Sequence, residues 1–480
     1  MAKKETVSIG QKGIYDARVL GRGRMLILGI QHTFAMFGAT VLVPLLTGLD
    51  MQTTLLMAGL GTLLFHLITG RKVPIFLGSS FAFLGGYAAV HAMTDAAGLS
   101  WQEGITYACV GVAVAGLVYL ILAGFFAAFE VRKVMRFFPP VVTGPIIIAI
   151  GLSLAGSAVT NCSANWLIAV ISLAAVIIFN IWGRGMMRII PILLGVIAGV
   201  AVAVILALTT GRAVDVDGGQ VICAGGNTAL QLFSVDKIEA LKRAPWLGFP
   251  IRGSEMVFGN IHDPALAVSA IVAVVPISFA SMMEHIGDIS AVSATTERNF
   301  LADPGLKRTL VGDGLATTMS ALFGGPANTT YGENTGVLAL TKVYDPRVVR
   351  IAAVFAILLS FSPKVAAAIN LLPTSVIGGI SFILYGMISG VGIRNVVENQ
   401  VDFTRSRNLI ITAIILVCAL GLTSGVTFHF GSFQITLTAL AVAAIAGIVL
   451  NAILPGNDYE FMTESYKNGK DAAQAAEDKN

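Results

Sequence analysis

Apolar runs of about 18 residues or more follow one another from Met25 to Leu454, and that repetition restricts the fold more than any other feature of the chain. Only 12% of the residues are charged and 55% are hydrophobic, with a mean hydropathy of +0.81, where a soluble domain carries about 25% charged residues. The expectation is an all-α polytopic membrane protein. About fourteen spans are read, near 25–47, 51–69, 73–93, 105–128, 134–155, 165–183, 189–210, 262–291, 306–324, 327–344, 348–362, 373–393, 408–424 and 432–454. The basic segment before Met25 lacks a cleavage-site pattern, so the first run is expected to insert and stay. Residues 211–261, with Gly218-Gly219, Gly225-Gly226 and several charges, read as a loop outside the bilayer, and 456–480 read as a polar tail.

The basic residues set an orientation. With an even number of spans and both termini inside, all but six of the 31 Lys and Arg fall inside. The exceptions are Arg212, Lys237, Lys242, Arg243, Arg252 and Lys364, and only Lys364 lies outside the long loop, where the bias is weak. Charge placed at span ends in this way accounts for the net +4 without a nucleic-acid partner. Cys109, Cys162, Cys223 and Cys418 contain no C-x-x-C pair, so no metal site is expected. Cys162 and Cys223 both read as outer-loop residues, free or paired with each other.

Two spans are broken. Residues 74–83 (PIFLGSSFAF) and 326–336 (PANTTYGENTG) each begin strand-like and turn into a short helix. The first such helix has about 13 residues and reaches about 20 Å, short of a hydrocarbon core about 30 Å thick. Non-helical backbone at that depth must be buried in protein or line a cavity. Broken spans at matching places in two halves of a chain point to a transporter's binding site.

The halves repeat weakly. Gln31-His32 matches Glu284-His285, and 137–144 (FFPPVVTG) matches 371–378 (LLPTSVIG). Gln31 to Ser79 is 48 positions and Glu284 to Glu333 is 49. About seven spans per unit is an odd number, so the second unit runs upside down, as in secondary transporters with a midplane site.

Three acids are read inside apolar spans: Glu284, Asp288 and Glu333. A charge at the bilayer centre costs roughly 3 kcal/mol, so each must be paired, wet or neutralised by a proton. Glu284 and Asp288 are four apart and share a helix face. Glu333 follows Tyr331-Gly332 at the start of a half-helix, where backbone N–H groups lack partners. Ser79, Ser80 and the N–H groups near Phe81 face it from the other break, and Phe81 and Tyr331 offer ring faces. Such a clamp suits a flat, uncharged ligand with alternating N–H and C=O groups, which describes a nucleobase. His32 and His285 read equally as packing or functional residues. Scattered histidines and the lack of H-E-x-x-H or G-x-S-x-G argue against an enzyme.

The stretches 31–44 (QHTFAMFGATVLVP), 77–83 (LGSSFAF), 284–288 (EHIGD) and 328–337 (NTTYGENTGV) resemble the nucleobase–ascorbate transporter family, nearest its uracil permease branch, over residues 20–455. The resemblance implies fourteen spans in two inverted repeats of seven, with short antiparallel strands in the third and tenth. It implies a core domain (25–128 and 262–362) and a gate domain (129–210 and 363–455) around the 211–261 loop, with 1–24 and 456–480 cytoplasmic. Substrate would sit between core and gate of a homodimer, in the plasma membrane, a bacterial inner membrane. Glu284 and Glu333 would bond the ring, Phe81 and Gly332 would offer backbone groups, Ser80 would join the clamp, and Ala39, Tyr331 and Tyr385 would line the pocket. Glu284 and Asp288 would carry the coupling proton, with no cofactor. The implied activity is proton-coupled uracil uptake; xanthine or urate symport, or anion exchange on the related sulfate-carrier fold, are the alternatives. Asp288 stands where a common uracil-permease pattern has His, which favours purines, whereas purine-type relatives commonly have Gln at the place of Glu333, which favours uracil.

Overall fold

A computed structural model describes residues 9–456 apart from 130–132, 135, 217, 423–424 and 431–432. The polar tail after Gly456 lies outside the described residues. Helix α1 (Arg22–Thr47) stops at Gly48, whose left-handed backbone (φ 76°) returns its N–H to Pro44. Asp50 caps the Thr53 N–H and starts α2 (Met51–Ile68). An extended stretch then leads into β1 (Leu77–Ser79), one 3-10 turn (Phe81–Phe83) and the short α3 (Leu84–Ala96). A Ser100–Glu103 capping box opens α4 (Trp101–Ala128).

Next come α5 (Pro140–Ser153), α6 (Ala155–Ser163), α7 (Trp166–Ile181), the single turn α8 (Met186–Ile189) and α9 (Pro191–Thr210). Strands β2 (Gly211–Val216), β3 (Gly219–Ala224) and β4 (Gln231–Ser234) form an antiparallel sheet in that order, followed by α10 (Val235–Arg243). The second half holds α11 (Pro264–Val274), α12 (Ile277–Thr296), α13 (Leu306–Leu322), β5 (Asn328–Thr330) and α14 (Gly332–Thr341). It ends with α15 (Pro346–Ser360), α16 (Pro363–Asn370), α17 (Thr374–Glu398), α18 (Ser406–Gly421), the hairpin β6 (Val426–Phe430) and β7 (Phe433–Leu437), and α19 (Ala439–Ile453).

Among the described residues seven helical stretches are long and apolar enough to cross a membrane, or eight if α15 and α16, bent by 88° to each other, count as one. The most extensive packing runs α4 along α13, α2 along α13 and α15, and α5 along α17. Small residues permit the first of these. A Cβ on Gly314 would lie 2.5 Å from the Gly116 carbonyl, so the two backbones touch directly.

Several expectations need correction. The chain is mostly helical, but the 211–261 segment carries its own sheet, and the last span read from the sequence holds strand over Phe433–Leu437, with helix only from Ala439. Alternation of apolar and polar residues through Val426–Phe430 suits a strand, which the high apolar content of the region hid. Cys162 lies on α6 and Cys223 on β3, not in loops, and both are free thiols. Among the described residues a fourth acid, Asp313 on α13, lies inside a span read from the sequence, with no exposed surface. Lys364, the lone basic exception outside the long loop, starts α16 and donates to the last carbonyls of α10, Leu241 (2.7 Å) and Lys242 (3.2 Å).

Candidate functional site

The two broken spans meet. Strands β1 and β5 pair antiparallel, with Leu77 opposite Thr330, Gly78 opposite Thr329 and Ser79 opposite Asn328. Two further bonds extend the ladder, from Ser80 N–H to Ala327 (2.8 Å) and from Tyr331 N–H to Phe76 (3.0 Å). Three residues per strand cannot hold themselves together in isolation. Threonines on the flanking helices secure the ends. The Thr62 hydroxyl on α2 accepts the Leu77 N–H at 2.9 Å, and its proton lies between the carbonyls of Ala58 (2.8 Å) and Leu77 (3.2 Å). On α13 the Thr317 hydroxyl accepts the Asn328 N–H at 3.2 Å and donates to the Asn328 carbonyl at 2.8 Å. Asn328 itself donates to the Met57 and Ala316 carbonyls at 3.3 Å each.

Each strand ends in a helix start that no capping side chain fills, at Ser80 before the 3-10 turn and at Tyr331 before α14. Uncapped N–H groups at helix N-termini are ready donors. Glu333 is in the first turn of α14, half-buried, and the neighbouring Gly332 and Gly336 are exposed. A Cβ on Gly332 would lie 3.7 Å from Asp288 Oδ1, which brings α14 against α12. Asp288 is buried and accepts the Thr330 hydroxyl at 2.7 Å, so the acid is tied to the last residue of β5. One turn earlier on α12, Glu284 is half-buried, and no protein donor reaches its buried Oε2. Glu284, Gly287 and Ala291 leave one side of α12 open, just as Gly332, Glu333 and Gly336 do on α14.

The apolar side of the site is one cluster. Ala39, Phe81, Tyr331 and Tyr385 belong to the same buried group, and the Phe81 and Tyr385 rings meet edge to face at 6.0 Å. Tyr331 lies over Gly78, where a Cβ would fall 2.4 Å from its ring, and its hydroxyl donates to the Ser79 carbonyl at 3.1 Å. Thr40 donates to that hydroxyl at 3.3 Å. Ser80 is fully buried, with its hydroxyl 3.4 Å from that of Ser281 on α12. The structure therefore brings together Ala39, Ser80, Phe81, Glu284, Asp288, Tyr331, Gly332, Glu333 and Tyr385 around the paired breaks.

Both histidines are fully buried and partnered, and sequence reading did not foresee the partners. His32 Nδ1 lies 3.0 Å from Asn334 Nδ2 on α14. His285 Nδ1 lies 2.9 Å from Asp313 Oδ2. A charge inside the span 306–324, one helix away from a buried histidine, was the available signal for Asp313. A cleft of about 630 Å³ opens beside Arg24, Gln31, Arg184, Arg188 and Leu340, between the start of α1, the end of α14 and the segment that leads into α8.

A family model described as a permease family matches residues 23–428. The chain is 39% identical over 443 residues to a uracil permease of Bacillus caldolyticus, covering 90% of this chain and 93% of that protein. It is 37% identical over 439 residues to a uracil permease of Bacillus subtilis, covering 89% and 91%. Among solved structures, the transmembrane domain of a cyanobacterium bicarbonate transporter superposes with a TM-score of 0.61 at 15% identity, covering 91% of this chain and 99% of that domain. This last likeness concerns the fold alone, a mostly helical membrane-transporter architecture.

Proposed function

We infer the reaction from one premise: this chain belongs to the permease family of nucleobase–ascorbate transporters, and it is a transporter rather than an enzyme. We propose that it takes up uracil together with protons. The observation that carries this reading is the meeting of two uncapped helix starts with Glu333, Glu284 and Asp288 across one strand pair. The helix starts supply donors, the carboxylates supply acceptors, and Phe81 and Tyr385 supply apolar ring surface. Uracil matches this set because its ring alternates N–H and C=O and carries no charge. Glu284 and Asp288 hold the coupling proton. Its arrival neutralises a buried charge, which favours movement of the site through the bilayer.

Finer features of the reading rest on supporting geometry. Thr62 on α2 and Thr317 on α13 grip β1 and β5 at equivalent residues, which supports two inverted repeats of seven spans. The fourteen spans are α1, α2, β1 with α3, α4, α5, α7, α9, α11 with α12, α13, β5 with α14, α15, α17, α18 and α19. The core domain takes 25–128 and 262–362, and the gate takes 129–210 and 363–455. Packing of α4 on α13 and of α5 on α17 agrees with that division. Both termini are cytoplasmic, the membrane is the bacterial inner membrane, and the working unit is a homodimer in lipid.

Vesicles loaded with this protein and given an acid-outside gradient should accumulate labelled uracil, and a protonophore should abolish accumulation. Uptake indifferent to the protonophore would reject proton coupling. Unlabelled xanthine or urate displacing uracil at lower concentration than uracil itself would reject the substrate. Glu333→Gln replaces a charged acceptor worth about 1.5–3 kcal/mol and should weaken uptake by roughly tenfold or more.

A further inference from the structure

Residues 9–20 fold back across the basic end of the fold. Ile14 bridges to Val343, its N–H donates to Lys342 O (2.7 Å), and the Tyr344 N–H returns to Ile14 O (2.8 Å). The Tyr15 hydroxyl donates to Thr296 O, at the end of α12, at 2.8 Å. Ala17 N–H donates to Asp345 Oδ2 at 2.7 Å. This arm closes one side of a cleft of about 390 Å³, separate from the transport site.

Five cations line that cleft, against two carboxylates, Asp16 and Asp345. The cations come from three connections: Arg71 and Lys72 precede β1, Arg298 follows α12, and Arg347 and Arg350 begin α15. Three of them are already engaged. Arg347 pairs with Asp16 (2.9 Å) and Asp345 (3.2 Å), Lys72 pairs with Asp303, and Arg298 lies 4.3 Å above the Tyr15 ring. Asp16 is shared with Arg18 (2.6 Å), and Asp345 also caps the start of α15 and holds Ala17, so both acids are already engaged. Among the described residues Arg71 and Arg350 have no carboxylate within ion-pair distance, and the buried Nη1 of Arg350 has no acceptor. A buried donor left unmet costs about 1–3 kcal/mol.

We propose that this cleft binds a phosphate group, held by the guanidinium forks of Arg71 and Arg350. Planar guanidinium matches phosphate oxygens two at a time, and the net positive lining selects an anion over a neutral base. The oxygens complete the Arg350 Nη1 bond that no protein atom supplies. The bound group ties the N-terminal arm to the connections that enter β1, leave α12 and enter α15, and so stiffens the segments that carry the site. Two sources present this chemistry, an anionic phospholipid headgroup and a soluble phosphate.

Thermal unfolding of the purified full chain in detergent tests the proposal, because a ligand that binds the folded state raises the midpoint saturably. One arm titrates inorganic phosphate; the other titrates phosphatidylglycerol into the micelles, with phosphatidylcholine as the uncharged comparison. Wild type should be stabilised by at least one phosphate source. R71Q/R350Q should need about tenfold more of it or lose the response, whereas R188Q/R394Q, which removes the same charge elsewhere, should respond as wild type does. Arg350→Lys keeps the charge, loses the fork, and should fall between. Response to phosphatidylglycerol alone identifies a lipid site, and response to phosphate a soluble ligand. No response in wild type to either source, or equal responses in wild type, R350K and the double variant, overturns the site.

Discussion

Thr330→Val asks whether the strand pair positions the acid on α12. The Thr330 hydroxyl donates to Asp288 Oδ2 at 2.7 Å, with Thr330 2% and Asp288 7% exposed. Valine keeps the shape and deletes the donor. A hydroxyl bond to an ionised carboxylate contributes about 1.5–3 kcal/mol, and a bond between neutral groups about 0.5–1.5 kcal/mol. Single-variant losses would mix this bond with cavity and solvation effects, so the measurement is a double-mutant cycle of wild type, T330V, D288A and T330V/D288A. The readout is unfolding free energy in mixed micelles, with uracil binding followed in parallel. Coupling should sit in the upper range while Asp288 is ionised and drop to the lower range once it takes a proton. The cycle therefore reports the charge of a residue assigned to proton coupling. A coupling energy within about 0.5 kcal/mol of zero at every pH would refute the argument, because contacting partners that add independently are not bonded in any useful sense.

Thr62→Val and Thr317→Val should destabilise the protein by similar amounts, about 1–3 kcal/mol each, since each leaves a buried strand N–H without an acceptor; unfolding midpoints measure this, and loss in only one would break the symmetry argument. Gly314→Ala should cost about 1–3 kcal/mol or more, because its Cβ would meet the Gly116 carbonyl at 2.5 Å, whereas Gly124→Ala on α4, with open space around it, should be neutral or stabilising in the same assay. Burial and the nearby Asp50 push the Glu255 carboxyl above the usual carboxylate range, against the pull of Arg252. An acid raised in the fold favours the protonated form, so its contribution is present below the unfolded pKa and lost as pH rises through the folded one. Glu255→Gln should therefore unfold at a higher temperature than wild type at pH 8, with the gap closing toward pH 4.

The polytopic membrane character and both breaks were legible because they depend on length and composition. Thirteen residues between Leu84 and Ala96 cannot cross a bilayer whatever they pack against. The carboxylates at 284, 288 and 333 stood out because a charge in an apolar run is costly. Asp313 did not, since Thr309, Thr317 and Thr318 make its span polar enough to pass as an ordinary helix. The register of β1 on β5 was also illegible. Hydroxyls of Thr62 and Thr317 help fix it, from helices distant in sequence, and a threonine on a helix looks the same whether it bonds its own turn or a neighbouring strand. The hairpin after α18 and the sheet after α9 were missed for a different reason: alternation was visible in both, but it was outweighed by apolar content in one and by glycine and charge in the other.

Where the polar atoms are satisfied narrows the class of ligand further. Behind the strand pair, His32 lies against Asn334, His285 lies against Asp313, and the Thr62 and Thr317 hydroxyls meet strand backbone. Beside the strand pair, the buried Oε2 of Glu284 has no protein donor, and Glu333 is half-buried in the first turn of α14. Helix starts alone would favour an anion. An ionised carboxylate reverses that preference: at about 4 Å and an effective dielectric near 20, two like charges repel by about 4 kcal/mol, close to a thousandfold in affinity. The likeness to a bicarbonate transporter therefore concerns the fold alone, and an ionised Glu333 would disfavour an anion at the helix starts. Under the proposed uptake of uracil, a neutral ring that brings its own N–H groups would meet both the helix starts and the carboxylates without that penalty, beside the paired Phe81 and Tyr385 rings.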